Sequence, residues 1–499
     1  MELSTTQIVN EQRRRLHHEA DVVVVGAGIF GCAVAFALAK QGRSVILLER
    51  WMQEPNRIVG ELLQPGGVSA LEKLGLADCL EGIDSIRVKG YEIVYYGDSV
   101  NIPYPPGAGD AFEGGTKTSE NEKSKAPEGR SFHHGRFIGQ LRKACARQPN
   151  ITIVETEVTE TVTSTKSPQI LGVKSRTKNS SGEKEDDFYF GQLTIIADGY
   201  ASKFRKQYIG RAPVVKSKFY ALELIDCPMP APNHGIVILG DASPVLLYQI
   251  GTHETRALID IPDNTPTASV AAGGVRAHLR NVILPSLPRG VQPCFEAALA
   301  DLNGKIPPSM PNSWLPPSTQ MEKGVVVLGD AMNMRHPLTG GGMTVAFNDV
   351  VLLSSLLAPE KIPNLGDTDK ITAAMKEFHW KRKGLSSIIN ILAQALYSLF
   401  AANDTQLKAL QKGCFAYFLR GGNCIDGPCG LLAGIIRQPF VLFYHFFAVA
   451  LLSIWLVMQN TMGSILGIWK FPLAVEQSAL IFWKACIVIF PFIFSELRT

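Results

Sequence analysis

No cysteine pair in this sequence comes with the second pair, or the histidines, that a zinc site needs. The nine cysteines are odd in number and irregularly spaced, and the nearest cluster, Cys424 and Cys429, has no matching partner motif. Neither a structural zinc site nor a regular disulfide framework is expected, and reduced thiols on a cytosolic face are. A strong charge imbalance is missing too. The formal net charge is +4, with no broad basic field, which argues against nucleic acid as a partner. Arg13, Arg14 and Arg15 precede Asp21 without an apolar signal core, so no cleaved secretory signal is expected. No internal repeat is visible. Apolar residues, by contrast, are abundant: 46% of the chain is hydrophobic and only 19% charged. The excess gathers toward the C-terminus. With 499 residues there is room for about two or three domains.

Residues 1–19 are polar and read as a loose arm. Asp21 to Val25 is a short β-branched run, the pattern of a buried parallel strand. Gly26-Ala27-Gly28-Ile29-Phe30-Gly31 follows at once, then a small-residue helix over 32–41 and a second strand over 43–48 ending at Glu49. Strand, G-x-G-x-x-G, helix, strand and acid together form a dinucleotide fingerprint. Gly26, Gly28 and Gly31 permit the tight turn, the close pyrophosphate approach and the close helix packing. The Glu49 carboxylate can accept both ribose hydroxyls and repels a 2′-phosphate, which favours FAD or NAD over NADP. Arg50, next to it, could cover the adenine or simply be solvated.

Two further corners have the same character. A strand over 191–197 ends in Ala197-Asp198-Gly199, followed by the basic turn Ser202-Lys203-Phe204-Arg205, which suits a cofactor phosphate or ribose. The stretch Leu328 to Thr344, LGDAMNMRHPLTGGGMT, combines a strand end, Asp330, Pro337, Gly340, Gly341 and Gly342, and a helix starting near Met343. Helix-start N–H groups there can face an anion, and the glycines admit a large flat ligand. Between these corners, Pro65-Gly66-Gly67 reads as a breaker before a helix over 69–74, and Gly90 to Tyr96 as a strand of a second sheet. The runs 219–226, 235–239, 244–250 and 256–261 read as an inserted antiparallel sheet. Residues 107–130 lack apolar periodicity and read as an exposed insertion. His133-His134 has no third ligand at useful spacing, so no metal site is expected. Phe440 to Met458 is long and apolar enough to span a bilayer, Leu480 to Phe494 is marginal, and Trp455, Trp469 and Trp483 suit an interface. Membrane association is expected, without deciding between spanning and dipping in.

The three corners match the three fingerprints of FAD-dependent monooxygenases of the para-hydroxybenzoate hydroxylase class: GAGIFG (26–31), ADG (197–199) and GD (329–330). RIVGELLQPGG (57–67), FHHGRF (132–137), SPVLLYQI (243–250), NMRHPLTGGGMTVAF (333–347), NILAQALYSLF (390–400) and HFFAVALL (445–452) narrow the match. From about Asp21 to the C-terminus, the chain resembles the squalene epoxidases, also called squalene monooxygenases. The anchoring segment that some of those relatives carry before the FAD domain is not expected here.

The resemblance implies a fold: a Rossmann-type α/β FAD-binding domain, an inserted mainly antiparallel β substrate domain and a C-terminal helical membrane-associated region. Its implied boundaries are an arm over 1–19, an FAD domain over 20–90, 131–213 and 321–365, a substrate domain over 91–130 and 214–320, and C-terminal helices over 366–499. It implies FAD contacts at Ile29, Phe30, Glu49, Arg50, Arg57, Leu62, Arg136, Val158, Asp330 and Met343. Tyr91 would help place the substrate, and Gln64 could hydrogen-bond and orient that tyrosine. The implied reaction takes O2 on reduced FAD, forms a C4a-hydroperoxide and epoxidises the terminal alkene of squalene to 2,3-oxidosqualene in sterol (ergosterol) synthesis. A cofactor that carries the hard chemistry accounts for the lack of a Ser/His/Asp or paired-carboxylate constellation. Only one complete nucleotide fingerprint is present, so NADPH either binds transiently to the flavin enzyme or reduces a partner; the resemblance implies the second, with NADPH as indirect electron donor through NADPH-cytochrome P450 reductase. The implied location is the endoplasmic reticulum membrane, with the catalytic part facing the cytosol. Two rivals share this fold. A geranylgeranyl-reductase-like flavoprotein would reduce prenyl double bonds without forming an epoxide. A lipid carrier of the Rab-GDP-dissociation-inhibitor type would hold no FAD.

Overall fold

The fold was analysed in a computed structural model, which describes residues 5–106, 126–178, 182–463 and 470–498. Most of the expected insertion over 107–130 and Trp469 lie outside these residues. Residues 129–131, at the end of that expected insertion, form a strand in a small sheet with Leu62–Leu63 and Ile86–Val88.

The first sheet has seven strands. Ile151–Glu155, Val45–Glu49, Glu19–Val25 and Lys184–Ile196 lie side by side and parallel, and Val325–Val327 joins the end of the last of these. A central parallel strand is covered on both faces, which is why Val22, Val23 and Val24 can all be apolar and fully buried. Ile170–Lys178 and Glu157–Thr163 extend the sheet antiparallel. The three ligand corners thus follow three neighbouring strands, all at the same sheet end, where α/β sheets bind ligands.

The second sheet also has seven strands, in the order Ser309–Trp314, Val214–Ile225, Glu254–Pro262, Val245–Gln249, His234–Leu239, Gly90–Tyr95 and Asp98–Pro103. All its pairings are antiparallel except His234–Leu239 against Gly90–Tyr95. The α/β fold with an added, mainly antiparallel sheet is therefore present.

Two local expectations fail for packing reasons. Residues 5–16 form a helix rather than a loose arm. Arg14 anchors it, 2% exposed, donating to Thr152 Oγ1 at 2.9 Å and to Pro149 O at 2.6 Å. Pro65-Gly66-Gly67 opens the Pro65–Leu74 helix instead of breaking the chain. Pro is tolerated in a first helical turn. A Cβ at Gly66 would lie 2.6 Å from Gly434 O, and one at Gly67 2.8 Å from Thr344 Oγ1. The glycines let this helix touch its neighbours.

After Thr368 the chain is helical. One 33-residue helix, Thr368–Phe400, leads into Thr405–Phe418, Asn423–Leu432, Pro439–Met462 and Phe471–Leu497. The last two are long and apolar enough to cross a membrane. They leave Phe440, Tyr444, Leu451, Trp455, Trp483 and Phe494 exposed, a surface that water alone does not favour.

Candidate functional site: a cavity between the two sheets

The first corner is backbone packed against backbone. Gly26 has φ +101°, and a Cβ there would lie 2.5 Å from Ala197 O. A Cβ at Gly31 would fall 1.7 Å from Gly26 O. No other residue fits either place. At Gly28 a Cβ would meet no protein atom, and this glycine lines the cavity. The Ile29–Lys40 helix starts there without a side-chain cap, which leaves its first N–H groups for a ligand. Glu49 Oε2 accepts from the Ala27 N–H at 2.8 Å, and Oε1 from the Trp51 N–H at 3.1 Å. Arg142 Nη2 lies 3.4 Å from Glu49, while Arg142 Nε donates to Ala27 O at 3.0 Å. Arg142 was not foreseen. It stands one helix away in a stretch with no motif of its own.

The second and third corners are tied together by Arg205. Its guanidinium donates to Gly199 O (3.1 Å), Tyr200 O (2.7 Å), Asp330 O (3.1 Å) and Ala331 O (3.0 Å). The basic turn expected to meet a phosphate is thus occupied: Arg205 holds carbonyls and Lys203 pairs with Glu157. Asp198 Oδ2 accepts from the Lys203 N–H at 3.0 Å. Burial raises the pKa of this carboxyl, and its Oδ1 is buried without a partner. Arg57 faces the cavity, its Nη2 3.9 Å from Asp330 Oδ2 and its guanidinium over the Tyr200 ring at 5.2 Å. Arg57 Nε is buried and unpaired. An uncapped helix start, a glycine cradle with room in it and an arginine with a spare donor fit an anionic dinucleotide such as FAD.

The far side of the cavity is apolar. Ile236, Val237, Leu246, Leu258, Met310 and Leu338 line it. Tyr91 stands among them, and Gln64 lies behind it, fully buried. Gln64 Nε2 donates to Thr339 O at 2.8 Å and to the Tyr91 hydroxyl oxygen, while Gln64 Oε1 accepts from the Tyr104 O–H at 2.7 Å. Both amide protons are used on fixed acceptors. The Tyr91 oxygen is thus an acceptor toward Gln64, and its own proton has two acceptors to choose between, the neighbouring Tyr104 oxygen and a ligand in the cavity. Burial raises the pKa of Tyr91, which keeps that proton on at neutral pH.

A buried ion pair also faces the cavity. Glu61, 1% exposed, accepts from Arg256 Nε at 2.9 Å, Arg256 Nη2 at 2.8 Å and the Tyr248 O–H at 3.1 Å. The one signal for it was a charge in each of two otherwise apolar runs. The neighbouring histidines are structural. His134 Nδ1 donates to Gly60 O at 2.7 Å, and burial lowers its pKa to about 3. His336 Nδ1 accepts from the Leu338 N–H at 3.2 Å and the ring stacks on Tyr397 at 4.0 Å. His336 shapes the loop, while Pro337 and Leu338 line the cavity.

Of the residues singled out in the sequence, Gly28, Ile29, Phe30, Arg57, Leu62, Tyr91, Asp330 and Met343 meet in this one cavity. Gly26, Gly31, Glu49, Gln64 and Asp198 do not line it: Gly31 and Asp198 adjoin lining residues in the chain, Gln64 bonds to Tyr91, Glu49 bonds to the Ala27 N–H, and Gly26 packs on Ala197. Arg136 lines a separate surface groove with Lys143 and Met52. Arg50 is exposed, its guanidinium over the Trp51 ring at 4.2 Å. Val158 is buried in the core of the first sheet. These last three are not brought to the cavity.

Comparison with known families decides between the alternatives. A family model described as Squalene epoxidase matches residues 190–469, and one described as FAD dependent oxidoreductase matches residues 21–54. Squalene epoxidase ERG1 of Gibberella zeae is 60% identical over 99% of this chain and 98% of its own length.

The chain belongs to the squalene epoxidase family.

Squalene monooxygenase of Mus musculus is 40% identical over 96% of this chain and 78% of its own length. Among solved structures, PqsL of Pseudomonas aeruginosa, described as a probable FAD-dependent monooxygenase, superposes with a TM-score of 0.59 at 19% identity, over 81% of this chain and all (100%) of its own. A flavoprotein/dehydrogenase from Cytophaga hutchinsonii gives 0.65 at 16% identity, over 87% and 98%. At such identities the superpositions show the fold. Family and fold together make this chain an FAD-dependent monooxygenase.

Proposed function

We propose that this member of the squalene epoxidase family epoxidises squalene to (S)-2,3-epoxysqualene in sterol synthesis. The observation that carries the reading is the cavity itself. One end is an anion cradle of backbone and arginine, and the other is a mainly apolar slot in which the Tyr91 hydroxyl and the Glu61–Tyr248 pair are the polar groups.

FAD would lie with its pyrophosphate at the Gly28–Phe30 helix start and Arg57, its adenosine ribose toward Glu49, and its far end toward Asp330 and Gly340 to Met343. Bound there, FAD supplies electrons and activates O2, so that one oxygen atom reaches the alkene and the other leaves as water. The chain's own residues do the rest. Ile236, Leu246 and Leu258 give the alkene an apolar berth and exclude water. Tyr91, oriented by Gln64, presents its hydroxyl as a hydrogen-bonding group where the substrate is placed. Gly340, with φ +61°, lets the loop pass within 3.2 Å (measured from a Cβ placed there) of Gln64 Nε2, joining the flavin-side loop to the Tyr91 support.

Electrons would come from NADPH through NADPH-cytochrome P450 reductase, since the one complete nucleotide fingerprint, over 21–49, is assigned to FAD in this proposal. The Pro439–Met462 and Phe471–Leu497 helices associate with the endoplasmic reticulum membrane, where squalene resides, and the catalytic part faces the cytosol. The assignment of FAD, substrate and C-terminal helical segments to separate domains belongs to the same proposal. The test is incubation with FAD, reductase, NADPH, O2 and squalene, followed by extraction. The expected product is the mono-epoxide. Reduced prenyl chains, or no turnover by an FAD-loaded protein, would overturn the reading, and rapid NADPH oxidation without reductase would overturn the electron route.

A further inference from the structure

The Phe471–Leu497 helix exposes Trp483, Ile487 and Phe494 along its length, yet in its last turn Glu496 points inward and is 2% exposed. Its Oε1 accepts from Asn390 Nδ2 at 2.9 Å and its Oε2 from Ser387 Oγ at 2.7 Å. Lys383 Nζ donates to the Glu496 carbonyl at 2.6 Å. The contacts continue inward. Asn390 Nδ2 reaches Asn333 Oδ1 at 3.3 Å, and that oxygen also accepts from Arg335 Nη2 at 2.8 Å and Arg382 Nη2 at 3.2 Å. Arg382 is held by Asp349 through bonds of 3.0 and 2.6 Å. Arg335 lines the cofactor cavity; its Nη1 donates to Gly342 O at 3.4 Å, and its Nε is buried without a partner. An unbroken chain of side chains, Glu496, Asn390, Asn333 and Arg335, therefore connects the last turn of the last helix to the cavity wall.

Charge makes this chain more than a tie between helices. The buried groups are two guanidiniums, Arg335 and Arg382, and two carboxylates, Asp349 and Glu496, with Lys383 at the rim and Asp330 on the cavity side. Asp349 is already bidentate to Arg382. Without Glu496 the set keeps a positive excess in a dry place, which is unstable enough to force rearrangement. Arg335 is the member with an open side to move into, since it faces the cavity.

We propose that Glu496 is a positioning residue for the reaction: docking of the last helical turn fixes the Arg335 guanidinium beside Gly342, where the flavin end of the cofactor is proposed to lie. The inference rests on FAD occupying the cavity as proposed above. A fixed cation there stabilises the negative charge of reduced flavin. Glu496 touches neither cofactor nor substrate and acts through Asn390 and Asn333.

The test uses the full-length chain with Glu496→Ala, Glu496→Gln and Ser387→Ala, and Glu476→Ala on the exposed side of the same helix as control. Four quantities are read: melting temperature, FAD dissociation constant by titration of apoprotein, flavin midpoint potential, and kcat with KM for squalene. Glu496→Ala is expected to weaken FAD binding about five-fold, shift the midpoint potential and lower kcat about ten-fold, with KM within about two-fold of wild type. Glu496→Gln, which keeps an acceptor, falls between, and Glu476→Ala stays at wild type. If Glu496→Ala does not fold, Ser387→Ala must still move affinity and potential in the same direction. Variants that melt lower but bind FAD with wild-type affinity and potential would overturn the inference and leave Glu496 as a helix tie. A wild-type chain that binds no FAD would overturn the proposed function along with it.

Discussion

At the Gly26–Gly31 turn the cavity wall is backbone, and its shape is set by places where a single added carbon does not fit. Across from it, on the second sheet, the wall is side chain, and its shape is set by buried polar pairs such as Glu61 with Arg256. The backbone wall has no room for a side chain at Gly26 or Gly31 and keeps its one open place, at Gly28, for the ligand. The side-chain wall tolerates apolar exchange but depends on charges that must not lose their partners. An anionic cofactor is met by the first kind because N–H groups and glycine can approach it closely. An apolar substrate is met by the second because strands supply alternating apolar side chains.

The comparison is broken most directly at the glycines. Gly31→Ala puts a carbon 1.7 Å from Gly26 O, so soluble protein with bound flavin is expected to be lost almost entirely, read as yield and as the ratio of flavin to protein absorbance. Gly28→Ala meets no protein atom and should leave the melting temperature unchanged while weakening FAD about ten-fold, because the new methyl occupies the cradle. If the two variants behave alike, the turn is not divided between fold and ligand as described.

On the other wall, Glu61→Ala leaves the buried Arg256 with only the partly exposed Glu223 carboxylate, 3.4 Å away, at a cost of about 3 kcal/mol in denaturant unfolding. The double variant Glu61→Leu, Arg256→Met should recover most of that loss, since apolar isosteres remove both desolvation costs. A double variant no better than the single one would mean that the pair carries more than charge balance.

Acid should destabilise the fold through its buried histidines. The pKa is lowered to about 3 at His134 and His336 and to about 4 at His379, chiefly by burial. Each folded value lies below the ordinary 6.5, so the unfolded chain takes up protons first as the pH falls. Stability is therefore full above about pH 6.5 and declines below it, by about 1.4 kcal/mol per pH unit for each fully buried imidazole. Asp260 acts the other way. Burial raises it to about 6, so it loses stability as pH rises from 3.8 toward 6, offsetting about one histidine. The melting temperature should fall from pH 7 to pH 5, and a flat profile would contradict the burial of these rings.

The smallest expected effect is the most local. Tyr91→Phe removes one hydroxyl and should lower kcat for epoxidation about ten-fold with FAD still bound. Loss of FAD instead would move Tyr91 from the substrate side to the cofactor side.

Local signals account for what could be read ahead of the structure. The strand, turn, helix and acid over 21–49 are consecutive, so spacing carries the geometry. Tyr91 and Gln64 came from the family resemblance, which the chain's physics alone would have left as an ordinary sheet tyrosine and a loop amide. Glu61 and Arg256 are 195 positions apart, and nothing local to either announces the other. Arg205 looked like a phosphate binder because a basic turn after Asp-Gly usually faces solvent or ligand; its carbonyl partners at 330–331 become neighbours only when the third corner folds beside the second. The helix at 5–16 was missed because its anchor is a buried arginine rather than an apolar stripe.

Sequence by itself determined the cradle. Glycine at 26, 28 and 31 and an acid at 49 follow from steric limits that act within a few residues, and they already specify a dinucleotide. The tertiary structure decided what stands opposite and what holds it. Buried charges such as Glu61, Arg335 and Glu496 are tolerable only with partners from distant segments, and those partners exist only once both sheets and the last helix have packed together.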